Sequence, residues 1–190
     1  MESSQKNLFI SVDVETAGPS PSEYSLLSIG ACMVFDPSIR FYVELQPVSD
    51  AYTSEAMQIT GMDLAKLKVD GLPPHQAMEK FADWIASNIP AGEEPVFVAF
   101  NAPFDWMFIT VYFHRHLGHN PFGHKALDIK AYYMGMDNTA WNRTSFEIVS
   151  QQYGFNGGLP HNALGDAVIQ ANIFRAMLAK QEEREERNAP

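Results

Sequence analysis

Residues 9–16 read Phe-Ile-Ser-Val-Asp-Val-Glu-Thr, an apolar run that closes on two acids. Side chains alternate faces along a strand, so Asp13 and Glu15 project together while Val12 and Val14 take the other face. The pattern predicts a first strand over 8–14. Gly18-Pro19 and the polar Ser22–Ser25 stretch make a turn. Leu26–Phe35 and Ile39–Leu45 read as two further strands, separated by Asp36-Pro37-Ser38. Short turns make these three an antiparallel meander.

The period then changes. A short helix is predicted over 53–59, capped by Thr53 or Ser54 and stopped near Gly61. Pro73 and Pro74 open a helix to about Asn88, with Ala77, Phe81, Trp84 and Ile85 at helical spacing. Val96–Phe100 is apolar throughout, the signature of a strand buried on both faces. A helix over about 103–117, a short strand over 126–129 and helices over 144–152 and 163–180 complete the pattern. Glu182–Arg187 is predicted as a solvated, fraying tail. The expected fold is one α/β domain over 1–190, with its core at about 7–180. Its mixed sheet is flanked by helices, three antiparallel strands preceding the parallel ones.

Composition narrows the partners. Thirteen Lys and Arg against 23 Asp and Glu give a formal charge of −10, which argues against a broad basic surface for long nucleic acid. It leaves room for a small acidic site that recruits a cation and handles a chain end. No apolar run approaches the roughly 20 residues of a membrane span. The start lacks the basic and apolar regions of a secretory signal. Cys32 alone excludes an intrachain disulfide. The expectation is a cytoplasmic protein with no membrane partner.

Asp13 and Glu15 side by side repel each other and resist desolvation, so a divalent cation is one solution and a solvated polar turn the other. Asp105 stands in the first turn of the 103–117 helix, on the row of Phe108, Ile109 and Tyr112. Asp166 likewise opens the row of Ile169 and Ile173. Each alone is explained by the helix dipole. Together with Asp13 and Glu15, a shared metal site explains all four more simply. His161, on the loop before Asp166, is either a surface residue or a proton acceptor beside that site. His114, His116, His119 and His124 crowd another loop, but their spacing fits no common zinc pattern.

These residues carry a resemblance. Asp13-Val14-Glu15-Thr16, Asn101 to Asp105 and His161 to Ala167 resemble, in order and spacing, the three motifs of the DEDDh 3′→5′ exonucleases. That group of the ribonuclease H-like superfamily includes ribonuclease T and the proofreading subunit of DNA polymerase III. The resemblance covers about residues 7–180 and implies a ribonuclease H-like fold. It departs at Phe100, where the family has His before the motif's Asn, and at Ala17, where a second Thr is common.

The resemblance implies two Mg²⁺ or Mn²⁺ ions bound by Asp13, Glu15, Asp105 and Asp166, with Asp13 bridging them. It implies His161 as the base that activates the attacking water. It also implies terminal hydrolysis of single-stranded DNA or RNA 3′ ends to nucleoside 5′-monophosphates. Thr16, Asn101, Phe104 and Met62 are then the expected substrate contacts, Met62 from a Thr60-Gly61-Met62 segment like the family's Thr-Gly-Ile. Met62 and Trp106 are placed to stack on bases, Trp106 equally to pack in the core. Some relatives are homodimers, which leaves a homodimer open. Two other readings remain: a non-catalytic nucleic-acid or protein adaptor on the same fold, and a small-nucleotide phosphodiesterase.

Overall fold

The computed structural model describes residues 8–158 and 160–188. The expected core boundary at residue 7, Leu159 and the last two residues of the chain lie outside them. Five strands form one sheet in the order β3-β2-β1-β4-β5. These are β1 (Phe9–Thr16), β2 (Leu26–Met33), β3 (Arg40–Glu44), β4 (Val96–Ala99) and β5 (Ala126–Asp128). β1, β2 and β3 pair antiparallel, with Asp13 opposite Gly30 and Glu15 opposite Ser28. β4 and β5 add in parallel. This is the mixed sheet the pattern predicts, with β1 at its centre.

Seven α-helices surround it among the described residues: α1 (Ser54–Thr60), α2 (Leu64–Asp70), α3 (Pro74–Asn88), α4 (Pro103–Leu117), α5 (Ile129–Met136), α6 (Phe146–Gln152) and α7 (Ala163–Asn188). The sequence pattern does not predict α2 and α5. Both are short, and both begin at an Asp cap: Asp63 accepts from Ala65 N, and Asp128 accepts from Lys130 N. The cap, not a long amphipathic stripe, starts them.

α3 and α4 cover one face of the sheet. Ile10, Val12 and Val14 of β1 meet Phe81, Phe108, Ile109 and Phe113 there, in the larger core. Phe81 stacks on Phe113 at 5.6 Å, and Phe97 meets Phe122 edge-on at 5.3 Å. Trp106 lies edge-on to Phe97 in the same aromatic layer, so its ring packs against the core. Tyr112 accepts from Leu26 N at 2.9 Å, which ties α4 to β2.

α7 covers the other face, and its start sits directly on β2. A Cβ at Gly30 would lie 2.1 Å from the carbonyl carbon of Ala163, so only glycine allows this approach. Ser11 Oγ donates to the carbonyl of Ala167 at 2.8 Å one turn further on. α7 also continues past the expected tail to Asn188. Its last turns are held from the side, since Arg184 donates to Met136 O at 2.9 Å and to Asp137 at 2.8 Å. A charged run that would fray alone stays helical because α5 supplies acceptors for it. No helix among the described residues is long and apolar enough to cross a membrane.

Candidate active site

The odd-numbered residues of β1 face α7, and this puts Asp13 and Glu15 beneath its first turns. Asp166 stands in that first turn. Ligand oxygens of Asp13, Glu15 and Asp166 all lie within 4.8 Å of one another. This is the one group of three or more such donors that converges among the described residues. His114, His116, His119 and His124 do not converge, so the structure gives no support to a zinc centre there.

Asp105 approaches β1 from the opposite side. β4 pairs with β1 only as far as Ser11, after which the chain turns away into α4. Beyond that point Asp105 Oδ1 accepts from Val14 N at 3.1 Å, replacing the lost strand partner. Asp105 is thereby fixed behind the acidic pair but stands outside the group of three.

Four acids this close hold their protons tightly. Burial, then Asp105, Asp166 and Glu15, push the Asp13 carboxyl well above the usual carboxylate range, against a hydrogen bond from Gln170. Burial and the neighbouring Asp166 raise Glu15 to about 7. Burial raises Asp105 to about 8, opposed by the Val14 peptide. Burial raises Asp166 to about 6, opposed by His161 and the peptides of Asn162 and His161. Such a cluster is a poor resting place for four negative charges and a strong one for a divalent cation. Asp166 Oδ1 is buried without a hydrogen-bond partner. An orphaned carboxylate oxygen beside two further acids offers the hard oxygen donors that Mg²⁺ or Mn²⁺ prefers, so the residues suit such ions.

His161 is exposed on the loop entering α7. Its φ of 52° is left-handed, which turns the chain just before Asn162 caps the helix through Gly165 N at 3.1 Å. It stands five residues ahead of Asp166, on the segment that leads into the first turn of α7. Asn101 also has a left-handed φ, 66°. Its N–H, at 2.9 Å, and that of Ala102, at 3.3 Å, both donate to Asp128 Oδ1. Asp128 is a residue the sequence reading missed. It sets the turn that delivers Asp105, and its signal is the one Asp13 gave, an acid closing an apolar strand.

A cavity of about 340 Å³ opens beside Glu15, lined by Thr16, Thr53, Ile59, Thr60 and Phe104 among others. Thr16 Oγ1 is turned inward to Gly18 O at 2.9 Å. Met62 packs instead against the small cluster of Ala17, Leu27 and Leu67, and Ile59 and Thr60 take the cavity wall. α1 ends at Gly61, where the backbone turns left-handed and carries Met62 away from the wall.

Comparison with known proteins agrees with this geometry. The profile of the family described as 3′-5′ exoribonuclease Rv2179c-like domain matches residues 8–178. The Escherichia coli protein named 3′-5′ DNA exonuclease Cap18 is 50% identical over 175 residues, covering 90% of this chain and 91% of that one. Among solved structures, the nuclease domain of 3′hExo, a DEDDh family member bound to rAMP, superposes with a TM-score of 0.74 at 17% identity. That match covers 90% of this chain and 92% of that one. Pop2p of S. pombe, in a form with Mg²⁺ and Mn²⁺ bound, gives a TM-score of 0.68 at 17% identity, covering 94% and 85%. At such identities the structures speak for the fold, which is that of the ribonuclease H-like DEDDh exonucleases.

Proposed function

The chain belongs to the Rv2179c-like family and is a 3′-5′ exonuclease of the DEDDh type, and on that premise we propose that it trims single-stranded DNA or RNA from the 3′ end, releasing nucleoside 5′-monophosphates with two divalent cations. The observation that carries this reading is the convergence of Asp13, Glu15 and Asp166 within 4.8 Å, with Asp105 fixed behind them. Asp13, Glu15, Asp166 and Asp105 would hold two Mg²⁺ or Mn²⁺ ions, which when bound neutralise the acids and act as Lewis acids on the terminal phosphodiester.

The chain's own groups do the rest. His161, exposed on the loop entering α7, takes the proton from the attacking water. Phe104 and Ile59 give the terminal nucleoside an apolar wall, and the cavity of about 340 Å³ is at the small end of ligand pockets. No Lys, Arg, Asn or Gln lines that cavity. Base edges therefore meet no amide or guanidinium fork, which favours trimming that tolerates any sequence. The acidic surface, with a formal charge of −10, favours short single strands over long duplexes.

The test uses matched 5′-labelled DNA and RNA oligonucleotides, single- and double-stranded, with Mg²⁺ or EDTA. The expected result is a cation-dependent ladder shortening from the 3′ end, fastest on single strands. A single internal cut, or cleavage confined to dinucleotides with no length dependence, would replace this reading with an endonuclease or a small-nucleotide phosphodiesterase.

A further inference from the structure

Gln170 lies one turn beyond Asp166 on α7 and is 1% exposed. Its Nε2 donates to Asp13 Oδ1 at 2.6 Å, and its Oε1 accepts from Phe100 N at 2.8 Å. A peptide N–H can only donate, so Phe100 must face the amide oxygen, and the NH₂ must face Asp13. The amide therefore cannot flip without losing both bonds.

We infer that Gln170 is a positioning residue for Asp13, fixing the carboxylate's rotation for cation binding and coupling it to the segment that delivers Asp105. The torsion that turns a carboxylate is otherwise soft, with broad minima. With one lone pair of Oδ1 engaged by the amide, Oδ2 and the remaining lone pair of Oδ1 are left to cations. The second bond matters as much. Phe100 begins the short stretch from β4 into α4 that ends at Asp105. One side chain thus joins the helix of Asp166, the carboxylate of Asp13 and the approach to Asp105.

The chemistry selects an amide. An ammonium or guanidinium here would bond Asp13 but compete with the divalent cation and leave Phe100 N without an acceptor. A carboxylate would satisfy Phe100 and repel Asp13. A hydroxyl offers one atom where two separated partners need two. The family's usual His before Asn101 is Phe100 here, and that residue takes part in the bridge through its peptide alone, its ring lying edge-on to Phe146 at 5.3 Å.

The activity arm of the test rests on the exonuclease reading, whereas the binding arm does not. Gln170→Met keeps the side chain's length and removes both bonds. Gln170→Glu keeps the acceptor for Phe100 and removes the donor to Asp13. Mn²⁺ affinity is measured by titration calorimetry, kcat and KM on a single-stranded oligonucleotide, and folded fraction by circular dichroism. Outer partners of metal ligands typically affect affinity or activity 10–100-fold. Gln170→Met is expected to weaken Mn²⁺ binding and lower kcat by about that factor, with KM within about twofold of the parent. Gln170→Glu is expected to lower kcat at least about tenfold at unchanged folded fraction. Parent-like Mn²⁺ affinity and kcat in both variants would overturn the inference, as would losses that merely follow the folded fraction. If the parent cleaves no oligonucleotide, the exonuclease reading fails, and the Mn²⁺ affinity of Gln170→Met still decides the role of Gln170.

Discussion

On the side of the sheet covered by α3 and α4, β1 presents Ile10, Val12 and Val14; on the side covered by α7 it presents Ser11, Asp13 and Glu15. The first face is dry and aromatic, closed by Phe81, Phe113 and Phe122. The second holds a hydroxyl, two acids and an amide within reach of a helix start. One strand serves both because its period is two residues and its two covers differ. The apolar face holds β1 rigidly at the centre of the sheet. That rigidity lets the polar face keep repelling groups together, ready for a cation.

If the faces divide labour in this way, changes on one should spare the other. Asp13→Ala should have the largest effect, reducing cation-dependent cleavage to background while circular dichroism stays native. Full activity in that variant would dismiss the acidic group as the site. His161→Ala comes next, with kcat expected to fall by about 10²–10⁴-fold, the usual contribution of a general base. Mn²⁺ affinity should hardly change, and a collapse there would make His161 a ligand instead. On the dry face, Phe81→Ala should cost about 3–5 kcal/mol in urea unfolding, the usual loss for a buried phenyl. Its kcat per folded molecule should stay at the parent value. A loss of kcat beyond the loss of folded protein would show that the faces are coupled.

The smallest effect sharpens the electrostatic half of the comparison. Asp166, Glu15 and Asp105 hold their protons to about 6, 7 and 8, and Asp13 is raised as well. Unfolded carboxyls titrate near pH 4. Between these limits the metal-free folded protein binds more protons than the unfolded chain, so its stability falls as pH rises. The melting temperature in EDTA should therefore drop from pH 5 to pH 8 by a few degrees, and saturating Mg²⁺ should flatten the slope. Asp13→Ala should flatten it without any metal. A metal-free protein that gains stability over this range would mean that the acids are paired by some other cation of the chain.

How much of this was legible beforehand differs by element. The meander, α3, α4 and the start of α7 follow from period and punctuation. The strong signals are β1 ending in Asp13 and Glu15, Pro74 opening a helix, and Gly61 closing one. α2 and α5 escaped because each follows closely on another element, α1 or β5, and is too short to show a period of its own. The run to Asn188 escaped because its support lies across the fold, in Asp137 and the Met136 carbonyl. Asp128 carried the strand-end signal of Asp13 but lacked an acidic neighbour to draw notice.

The sequence by itself determined which chemical groups are on offer. Four acids and a histidine stand at strand ends and helix starts, and alternation along β1 and helical spacing along α4 and α7 fix which face each one takes. Those are local properties of a chain with two periods. Only the tertiary structure decided which groups meet. Asp105 reaches β1 as a substitute for a missing strand partner, Met62 turns away from the cavity that Ile59 and Thr60 line, and Gln170 finds Asp13 and Phe100 at once. The last of these depends on where α7 lands on the sheet. That landing is set by the missing side chain of Gly30, a steric fact between residues more than 130 positions apart.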